Sequence, residues 1–515
     1  MVKILMAITL ALLFLSCSNV FSTLLSTAAS VGIQATVRAT PYPTPNVDPA
    51  AYLPRTQAGR SVWVAASSDR LAETIQTAQD DPAISKVMIR GGGSIRKTVI
   101  LRKHTVFDSS TYSCDVTDET GIIKGTPVSD YGCMLIADGV LVEGTWTPPR
   151  ALIDYWARGN GRNPNDPYLR AVQALTAEEL AGTGTTILES TFVAGVNPSI
   201  SVFQALGDTC CAHTATARNI TVRGFHIKGR QQKYDGGVRS TIQFGNCTRC
   251  SAQHNYLEDT GSIGISFGGS ALEFTTNEGV AHKDNFANDV VLWRNVFSGV
   301  AAANSATINT ENAYVFENYV RRPGHHNPRF GGGVCGHDHE TNSQADHTRN
   351  IWLYNNLYDY EDAHQEASGS AICLQDPYIG PNRGLVVAAN NVIIGGRNDR
   401  EHRYMSNGLF LNGLKDCRVI NNYVFRTGQN AIQAYALKNC LIQDNDFEST
   451  GGGGSVSFYS QGMVNTVLRR NNYRDRPGLN INVAAGFMEI CGSGNTYEDN
   501  ISPGHQNLQP LRRCP

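Results

Sequence analysis

Two stretches decide the fold: CRVINNYVF, residues 417–425, and CLIQDNDFE, residues 440–448. In each stretch, alternating apolar residues lead into an asparagine, and a second short apolar run follows it. Such alternation predicts a short strand with one buried face. Because so short a strand cannot bury that face alone, successive copies of the pattern are expected to stack on one another.

The pattern recurs along the chain. The asparagines follow one another at intervals of 40, 23, 38, 35, 31, 23 and 27 residues, and they are Asn255, Asn295, Asn318, Asn356, Asn391, Asn422, Asn445 and Asn472. The shortest interval is 23 residues, and the longer ones add insertions of variable length. This pattern fits a coil that has a fixed core and variable loops. Stacked asparagines can pair their side-chain amides along a turn. We therefore predict an all-β fold, a right-handed parallel β-helix.

This repeat resembles that of the pectin-lyase-like β-helix superfamily over roughly residues 61–505. SDRLAETIQTAQDD, residues 68–81, is similar to the family's N-terminal capping helix, with Leu71, Ile75 and Ala78 on one face. The superfamily contains lyases, hydrolases, epimerases and binding proteins. The resemblance therefore implies the fold and leaves the activity to be argued from the site.

The chain begins with MVKILMAITLALLFLSCSN, which has one lysine and an apolar run. This predicts an export signal over residues 1–30. FLSC resembles the bacterial lipobox, which implies lipidation of Cys17; ordinary cleavage further on is the alternative. Residues 31–60 are proline-rich without hydrophobic periodicity and predict an extended tether. The β-helix is expected over residues 61–505 and a C-terminal tail over residues 506–515.

Composition limits the partners. The chain has 515 residues, of which 41% are hydrophobic and 17% charged, so it can bury a large core. The net charge is -2 and no basic stripe is visible, which excludes nucleic acid as an expected partner. We expect a monomer that is secreted or held at the cell surface, with membrane contact only through the lipid anchor.

Export gives the cysteines a meaning, because disulfides persist outside the cytosol. Without Cys17, 12 of the 13 cysteines remain, and an even number permits full pairing. Cys417 and Cys440 each lie five residues before a repeat asparagine, so they should occupy the same place on adjacent coils. The strand spacing of about 4.8 Å lies within the range that a disulfide tolerates. The alternatives are a bridge between them and two buried thiols.

GVCGHDHETN, residues 333–342, contains the titratable cluster of interest. Cys335 lies 17 residues after Asn318, and Cys373 lies 17 after Asn356, so VCGHD should align with ICLQD on the next coil. Strand alternation then predicts an outward-facing polar stripe with aromatic residues at its C-terminal end. Its members would be Cys335, His337, Cys373, Gln375, Asn309, Asn412, Tyr435 and Tyr459. Such a stripe suits an extended polysaccharide.

One interpretation is a lyase or C5-epimerase acting on an acidic polysaccharide. His337 is the natural base for abstracting the proton next to a uronate carboxylate, because the imidazole pKa is near neutrality. Arg322 or Arg329 would neutralise that carboxylate. Alternatively, Ca²⁺ held by Glu311, Asp338 and Asp376 would do so.

Other interpretations stay open. GHDHE is similar to the Asp-Pro-His-Asp motif of the alginate C5-epimerases, without its proline, and this likeness implies that His339 is the base. A glycoside hydrolase would instead use Asp338 and Asp376 as its paired carboxyl groups. His337 and His339 also leave a zinc site open, although no HExxH motif completes it. A carbohydrate-binding protein without catalytic activity is a further alternative.

The insertion of residues 147–180 is partly helical and aromatic in pattern. It is expected to cover either the stripe, as a lid, or the flank of the coil.

Overall fold

A computed structural model describes the chain from Pro41 to Arg513 apart from a set of gaps. The gaps are residues 56–57, 66–69, 117–131, 159–163, 191–200, 207–216, 230–239, 246, 261–262, 268–286, 301–302, 308–309, 322–333, 337–347, 362–369, 376–384, 396–406, 449, 451–455, 475–483, 503–504 and 507–509.

The described chain coils through three long sheets in turn. Sheet 1 consists of Arg60–Ala65, Ile84–Arg90, His104–Phe107, Leu141–Glu143, Thr221–Arg223, Ser251–Gln253, Ala287–Trp293, Thr310–Phe316, Thr348–Tyr354, Val386–Ala389, Arg418–Ile420, Leu441–Gln443, Val467–Arg469 and Thr496–Glu498. Sheet 2 consists of Gly93–Ile95, Thr111–Cys114, Ile187–Ser190, His226–Lys228, Tyr256–Glu258, Val296–Ser298, Tyr319–Arg321, Leu357–Asp359, Val392–Ile394, Tyr423–Phe425, Asp446–Glu448, Asn472–Arg474, Ile501–Ser502 and His505–Gln506. Sheet 3 consists of Val99–Leu101, Gly132–Ile136, Ser201–Ala205, Ser240–Gln243, Ile263–Phe267, Ala303–Thr307, Val334–Gly336, Ser370–Gln375, Asn407–Asn412, Ile432–Tyr435, Val456–Gln461, Ala484–Ile490 and Leu511–Arg513.

Neighbouring strands in each sheet belong to successive coils and run parallel, as between Asn407–Asn412 and Ile432–Tyr435. The final pairing of Ile501–Ser502 with His505–Gln506 is antiparallel. The inward side chains of all three sheets form one continuous apolar core. The predicted right-handed parallel β-helix is confirmed. The predicted tail is partly wrong, because Leu511–Arg513 extends sheet 3 by pairing with residues 488–490.

An asparagine ladder forms the turn between sheets 1 and 2. The side-chain Nδ2 of each member donates to the Oδ1 of the next over 2.9–3.1 Å, through Asn255, Asn295, Asn318, Asn356, Asn391, Asn422, Asn445, Asn471 and Asn500. The residue before each member adopts a left-handed backbone, from His254 at φ 51° to Asp499 at φ 51°. This conformation turns the chain by one corner per coil.

The prediction of Asn472 as a ladder member is wrong. In the run RNNYR, Arg470 takes the left-handed position with φ 52°, so the next residue, Asn471, enters the ladder. Asn472 is the first residue of the following strand, and its side chain donates to Asp446 over 3.0 Å.

The capping helix is Leu71–Asp80. Leu71, Ile75 and Ala78 are buried against the first coils, as predicted. Gln79, also buried, accepts from the backbone N–H groups of Arg102 and Lys103 over 2.8 and 3.0 Å. The helix therefore closes the open end of the core and pairs backbone groups that the end would leave unsatisfied.

The insertion contributes the helices Arg150–Ala157, Pro167–Gln173 and Ala177–Ala181. Its buried side chains pack on an apolar column along the outer face of sheet 2; this cluster includes Trp146, Tyr155, Trp156, Leu169, Tyr256, Tyr319, Leu357 and Tyr423. Trp146 Nε1 donates to the carbonyl of Leu180 over 2.8 Å and fixes the insertion to its own base. Of the two expectations, the insertion covers the flank and not the stripe on sheet 3.

The predicted tether is wrong for residues 42–55, which we call the strap. The strap lies against the outer face of sheet 1 and includes the 3₁₀ helix Pro49–Tyr52. The side-chain amide of Asn390 accepts from the backbone N–H of Tyr42 and donates to its carbonyl, both over 2.9 Å. At the other end of the strap, Thr221 donates to the carbonyl of Tyr52 over 2.8 Å. The strap thus crosses the coils between these two contacts, and Tyr52 is 9% exposed.

Disulfides join Cys114 to Cys133, Cys247 to Cys250, and Cys417 to Cys440. The Cα atoms of Cys417 and Cys440 are 4.5 Å apart on adjacent coils, so the structure contains the bridge rather than two thiols.

Across the described residues, the helices are too short or too polar to cross a bilayer.

Candidate functional site

The predicted register of the titratable segment holds where the structure describes it. Val334 pairs with Ile372, and Cys335 pairs with Cys373. On the next coil Cys373 pairs with Phe410, and Gln375 pairs with Asn412. The inward-facing residues Ile372, Leu374, Leu409 and Leu411 are buried in the core. The alternate positions therefore form the outer face of sheet 3, as the alternation predicted.

Further register pairs extend this face in both directions. Ala306 pairs with Cys335 on the preceding coil, and the predicted stripe residue Asn309 lies outside the described residues. Tyr435 pairs with Asn412, and Tyr459 pairs with Gln433. The two tyrosines are therefore diagonal neighbours on one face, because a strand returns to the same face after two residues.

The predicted catalytic residues lie outside the described residues. They are His337, Asp338, His339, Asp376, Arg322 and Arg329. The structure does describe the strands that precede two of them in sequence: Val334–Gly336 ends directly before His337, and Ser370–Gln375 ends directly before Asp376. These two strands are adjacent in sheet 3.

Glu311 is the one predicted calcium ligand that lies among the described residues, and it belongs to sheet 1. Glu311 lies in the sheet 1 strand Thr310–Phe316, where it pairs with Asn288 and Arg349. Only residues 308–309 separate this strand from the sheet 3 strand Ala303–Thr307. Among the described residues, no three His, Cys, Asp or Glu side chains come together in a way that could hold a metal ion. A calcium site that also uses Asp338 and Asp376 stays a prediction.

Three half-buried rings form an aromatic platform, defined as Phe410, Tyr435 and Tyr459, on three successive coils of sheet 3. The ring centroids of Phe410 and Tyr435 are 5.7 Å apart, and those of Tyr435 and Tyr459 are 5.9 Å apart. These spacings allow tilted and edge-to-face contact between the rings. Burial, together with the neighbouring Tyr435, raises the pKa of Tyr459, so its hydroxyl group stays a neutral donor at physiological pH.

A chain of amides lies beside the platform. Asn407 Nδ2 donates to Gln433 Oε1 over 2.8 Å, and Gln433 Nε2 donates to the Tyr435 hydroxyl over 2.7 Å. Because the Tyr435 oxygen accepts this bond, its own O–H proton is free to point outward. Asn412 is half-buried and Gln461 is exposed in the row that contains Tyr435. The face therefore offers oriented donors and acceptors next to apolar rings.

Sequence reasoning missed Phe410, Gln433 and Asn407. A signal for the first two was present, since each lies two residues before a predicted stripe residue, Asn412 or Tyr435, and so shares its face. Asn407 carries no such signal, because its role depends on its contact with the next coil.

The strongly paired titratable groups of the described chain lie away from this face. On sheet 1, burial acts to raise the pKa of Glu143, but hydrogen bonds with His104 and Arg223 outweigh it and bring that pKa to about 2. On sheet 2, His226 is 2% exposed and pairs with Glu258 over 2.9 Å. These are hydrogen-bonded contacts between titratable side chains of neighbouring coils, and we assign them to stability.

Comparison with solved structures finds several matches of low sequence identity. A mutant tailspike protein of the E. coli bacteriophage HK620 in complex with a pentasaccharide is 10% identical, with a TM-score of 0.45, over 87% of this chain and 65% of that chain. The Streptococcus pneumoniae surface protein and adhesin PfbA is 10% identical, with a TM-score of 0.34, over 90% and 98% of the two chains. The A-module of the Azotobacter vinelandii mannuronan C-5 epimerase AlgE4 is 11% identical, with a TM-score of 0.35, over 87% and 96%.

The chain thus spans about 65% of the length of the tailspike chain. Similarities at this level carry no argument about activity. No family model matches the sequence. No curated protein matches it either.

Proposed function

We propose that the protein binds an extended polysaccharide along the outer face of sheet 3. The observation that carries this proposal is the aromatic platform, whose rings stand on three successive coils beside the oriented amides of Asn407 and Gln433. A sugar residue presents apolar C–H groups on its faces and hydroxyl groups at its edge. Aromatic rings pack on the C–H groups, and amides hydrogen-bond with the hydroxyl groups. Because rings and amides recur over several coils, the face fits an extended polymer better than a compact ligand.

We further propose that the polymer is acidic and that the protein processes it outside the cell, by proton abstraction next to a uronate carboxylate. This is the chemistry of a lyase or C5-epimerase. Two adjacent strands that end directly before His337 and Asp376 support the assignment, since they begin the row of coils that the platform continues. His337 or His339 would be the base, and Arg322, Arg329 or a Ca²⁺ ion bound by Glu311, Asp338 and Asp376 would neutralise the substrate carboxylate.

A polysaccharide-binding protein without catalytic activity is the second candidate. One observation favours it. The six described outer-face residues of the platform coils include no carboxylate or imidazole side chain; they are Phe410, Asn412, Gln433, Tyr435, Tyr459 and Gln461. Their chemistry is sufficient for binding and contains no general base.

Incubation with a panel of uronate and neutral polysaccharides, with and without EDTA, tests the activity. The absorbance of unsaturated products supports the lyase, and inversion at C5 without chain cleavage supports the epimerase. New reducing ends without unsaturation would instead indicate the hydrolase that uses Asp338 and Asp376. Full activity in both His337→Ala and His339→Ala would exclude the proposed bases, and saturable binding without turnover would leave the second candidate.

A further inference from the structure

The aromatic platform lies among side chains that carry no charge at the described positions of its two register rows. One row contains Phe410, Gln433 and Tyr459, and the other contains Asn412, Tyr435 and Gln461. All six side chains are uncharged at neutral pH. Over two coil spacings, about 10 Å, the described outer face therefore offers rings, amides and hydroxyl groups alone.

The nearest described cations along the chain are Lys415 and Lys438, and they lie beyond a corner. After Asn412 the backbone turns at Gly413 with φ 67°, and after Tyr435 it turns at Ala436 with φ 49°. Lys415 and Lys438 then pair with each other in the bridge that leads to sheet 1. They belong to the edge between the two sheets rather than to the face that carries the rings.

A uronate carboxylate placed on this face would lose much of its hydration without gaining a cationic partner among the side chains that the structure describes there. Burying a charge in this way costs free energy unless the charge is paired or fully hydrogen-bonded. The amides of Gln433 and Asn407 are already engaged with each other and with Tyr435. A neutral sugar residue loses no ionic hydration here, and it can stack on the rings while its hydroxyl groups contact the outward-facing amides of Asn412 and Gln461.

We infer that the platform is a set of subsites for uncharged sugar residues, on the C-terminal side of the coils where the acidic residue would react. This inference rests on the proposed function and narrows its substrate class. The polymer would carry uncharged residues next to the reacting uronate. A homopolymer of ionised uronates would fill the platform poorly.

The test is calorimetric titration of the full-length protein with neutral and uronate oligosaccharides at low and high salt. Tyr435→Ala and Tyr459→Ala remove one ring each. Each is expected to lower the affinity for neutral oligosaccharides about tenfold, and this loss should depend little on salt. Trp63→Ala is the matched control, because Trp63 is an aromatic side chain 52% exposed on sheet 1. Lys438→Ala is the charge control. Neither control should change the affinity for neutral oligosaccharides.

The outcomes separate the two levels of the proposal. The inference is wrong if the ring variants lower the affinity for uronate oligomers at least as strongly as that for neutral ones, and if Lys438→Ala or added salt also lowers the affinity for uronate oligomers. In that case the platform binds acidic residues. If saccharides bind but none of the platform variants changes their affinity, or if no saccharide binds, the proposed function itself is wrong. Selective loss of neutral ligands in both ring variants supports the inference.

Discussion

Asn445 donates its side-chain amide to Asn471 over 2.9 Å and makes no such bond to the adjacent Asn472. Asn471 is fully buried and also donates to the carbonyl of Ile442 and to Asn500, each over 2.9 Å. Two identical side chains, adjacent in sequence, thus have different structural roles. One continues the ladder through the turn, and the other lies at the surface of sheet 2.

This pair gives a matched test of the ladder. Asn471→Ala leaves several buried donors and acceptors without partners, and each such group costs about 1–3 kcal/mol. We expect the free energy of unfolding to fall by about 2–4 kcal/mol in urea titrations. Asn472→Ala removes one half-exposed bond and should cost less than about 1 kcal/mol. Equal losses in the two variants would contradict the role of the ladder.

The Cys417–Cys440 bridge closes a loop of 23 residues between adjacent coils. Replacing both residues with Ala should lower the free energy of unfolding by about 3 kcal/mol, because the unfolded chain regains the entropy of the open loop. The bridge between Cys247 and Cys250 spans only 3 residues, so the same double substitution there should cost less. Peptide mapping without reduction provides the direct check. Alkylated Cys417 and Cys440 in the untreated protein would contradict the assignment.

Asp359, which is 5% exposed, gives the molecule a pH dependence. Burial, reinforced by the charge of Glu361, raises its pKa to about 6. Between pH 4 and 6 the folded protein therefore holds a proton that the unfolded chain releases, and the free energy of unfolding falls as pH rises through this window. A difference of this size corresponds to about 3 kcal/mol. Asp359→Asn should remove the slope and stabilise the protein at pH 7 by about 1–3 kcal/mol.

Glu143 provides a control of opposite sign. Because its pKa of about 2 lies below the ordinary value, its contribution is present at neutral pH and is lost as pH falls from about 4.5 to 2. Glu143→Gln should therefore destabilise the protein at pH 7 and leave the slope close to pH 6 unchanged, because Glu143 titrates below that pH in both states. Urea titrations at a series of pH values measure both variants. A slope that persists in Asp359→Asn would contradict the assignment.

The strap is held by a few contacts that can be removed one at a time. Tyr52→Ala deletes a buried ring and should cost about 3–5 kcal/mol. Asn390→Ala removes both bonds to the backbone of Tyr42 and should increase hydrogen exchange in residues 42–55. The exposed Arg55 gives the control, Arg55→Ala, which should change neither quantity. Unchanged exchange in Asn390→Ala would show that the strap is held by other contacts.

The coil register could be predicted because two regular sequence patterns determine it. Apolar alternation sets which residues face inward, and the common interval of 17 residues places Cys335 beside Cys373. The ladder was predicted except at its last two members. At Asn471 two adjacent asparagines fit the same pattern, and only the backbone of Arg470 decides between them. Asn500 was not included in the predicted repeat.

Features that depend on single contacts between distant segments could not be predicted. Residues 42–55 have no periodicity, and the carbonyl groups that Thr221 and other side chains bind leave no trace in a sequence pattern. The insertion was predicted, but the face that it covers was not, because the outer aromatic column of Tyr256, Tyr319 and Tyr423 was not recognised as a docking surface. In the candidate site, the register of the outer row was predicted, whereas the amide chain through Gln433 required the neighbouring coil.

The most direct test of polysaccharide binding on sheet 3 is hydroxyl-radical footprinting of the full-length protein with and without a bound polysaccharide. Tyr435 and Tyr459 are half-buried on the proposed face, and Trp63, which is 52% exposed on sheet 1, serves as the internal reference. We expect the polysaccharide to protect both tyrosines from oxidation and to leave Trp63 unprotected. Protection of Trp63 with no change at Tyr435 and Tyr459 would contradict it.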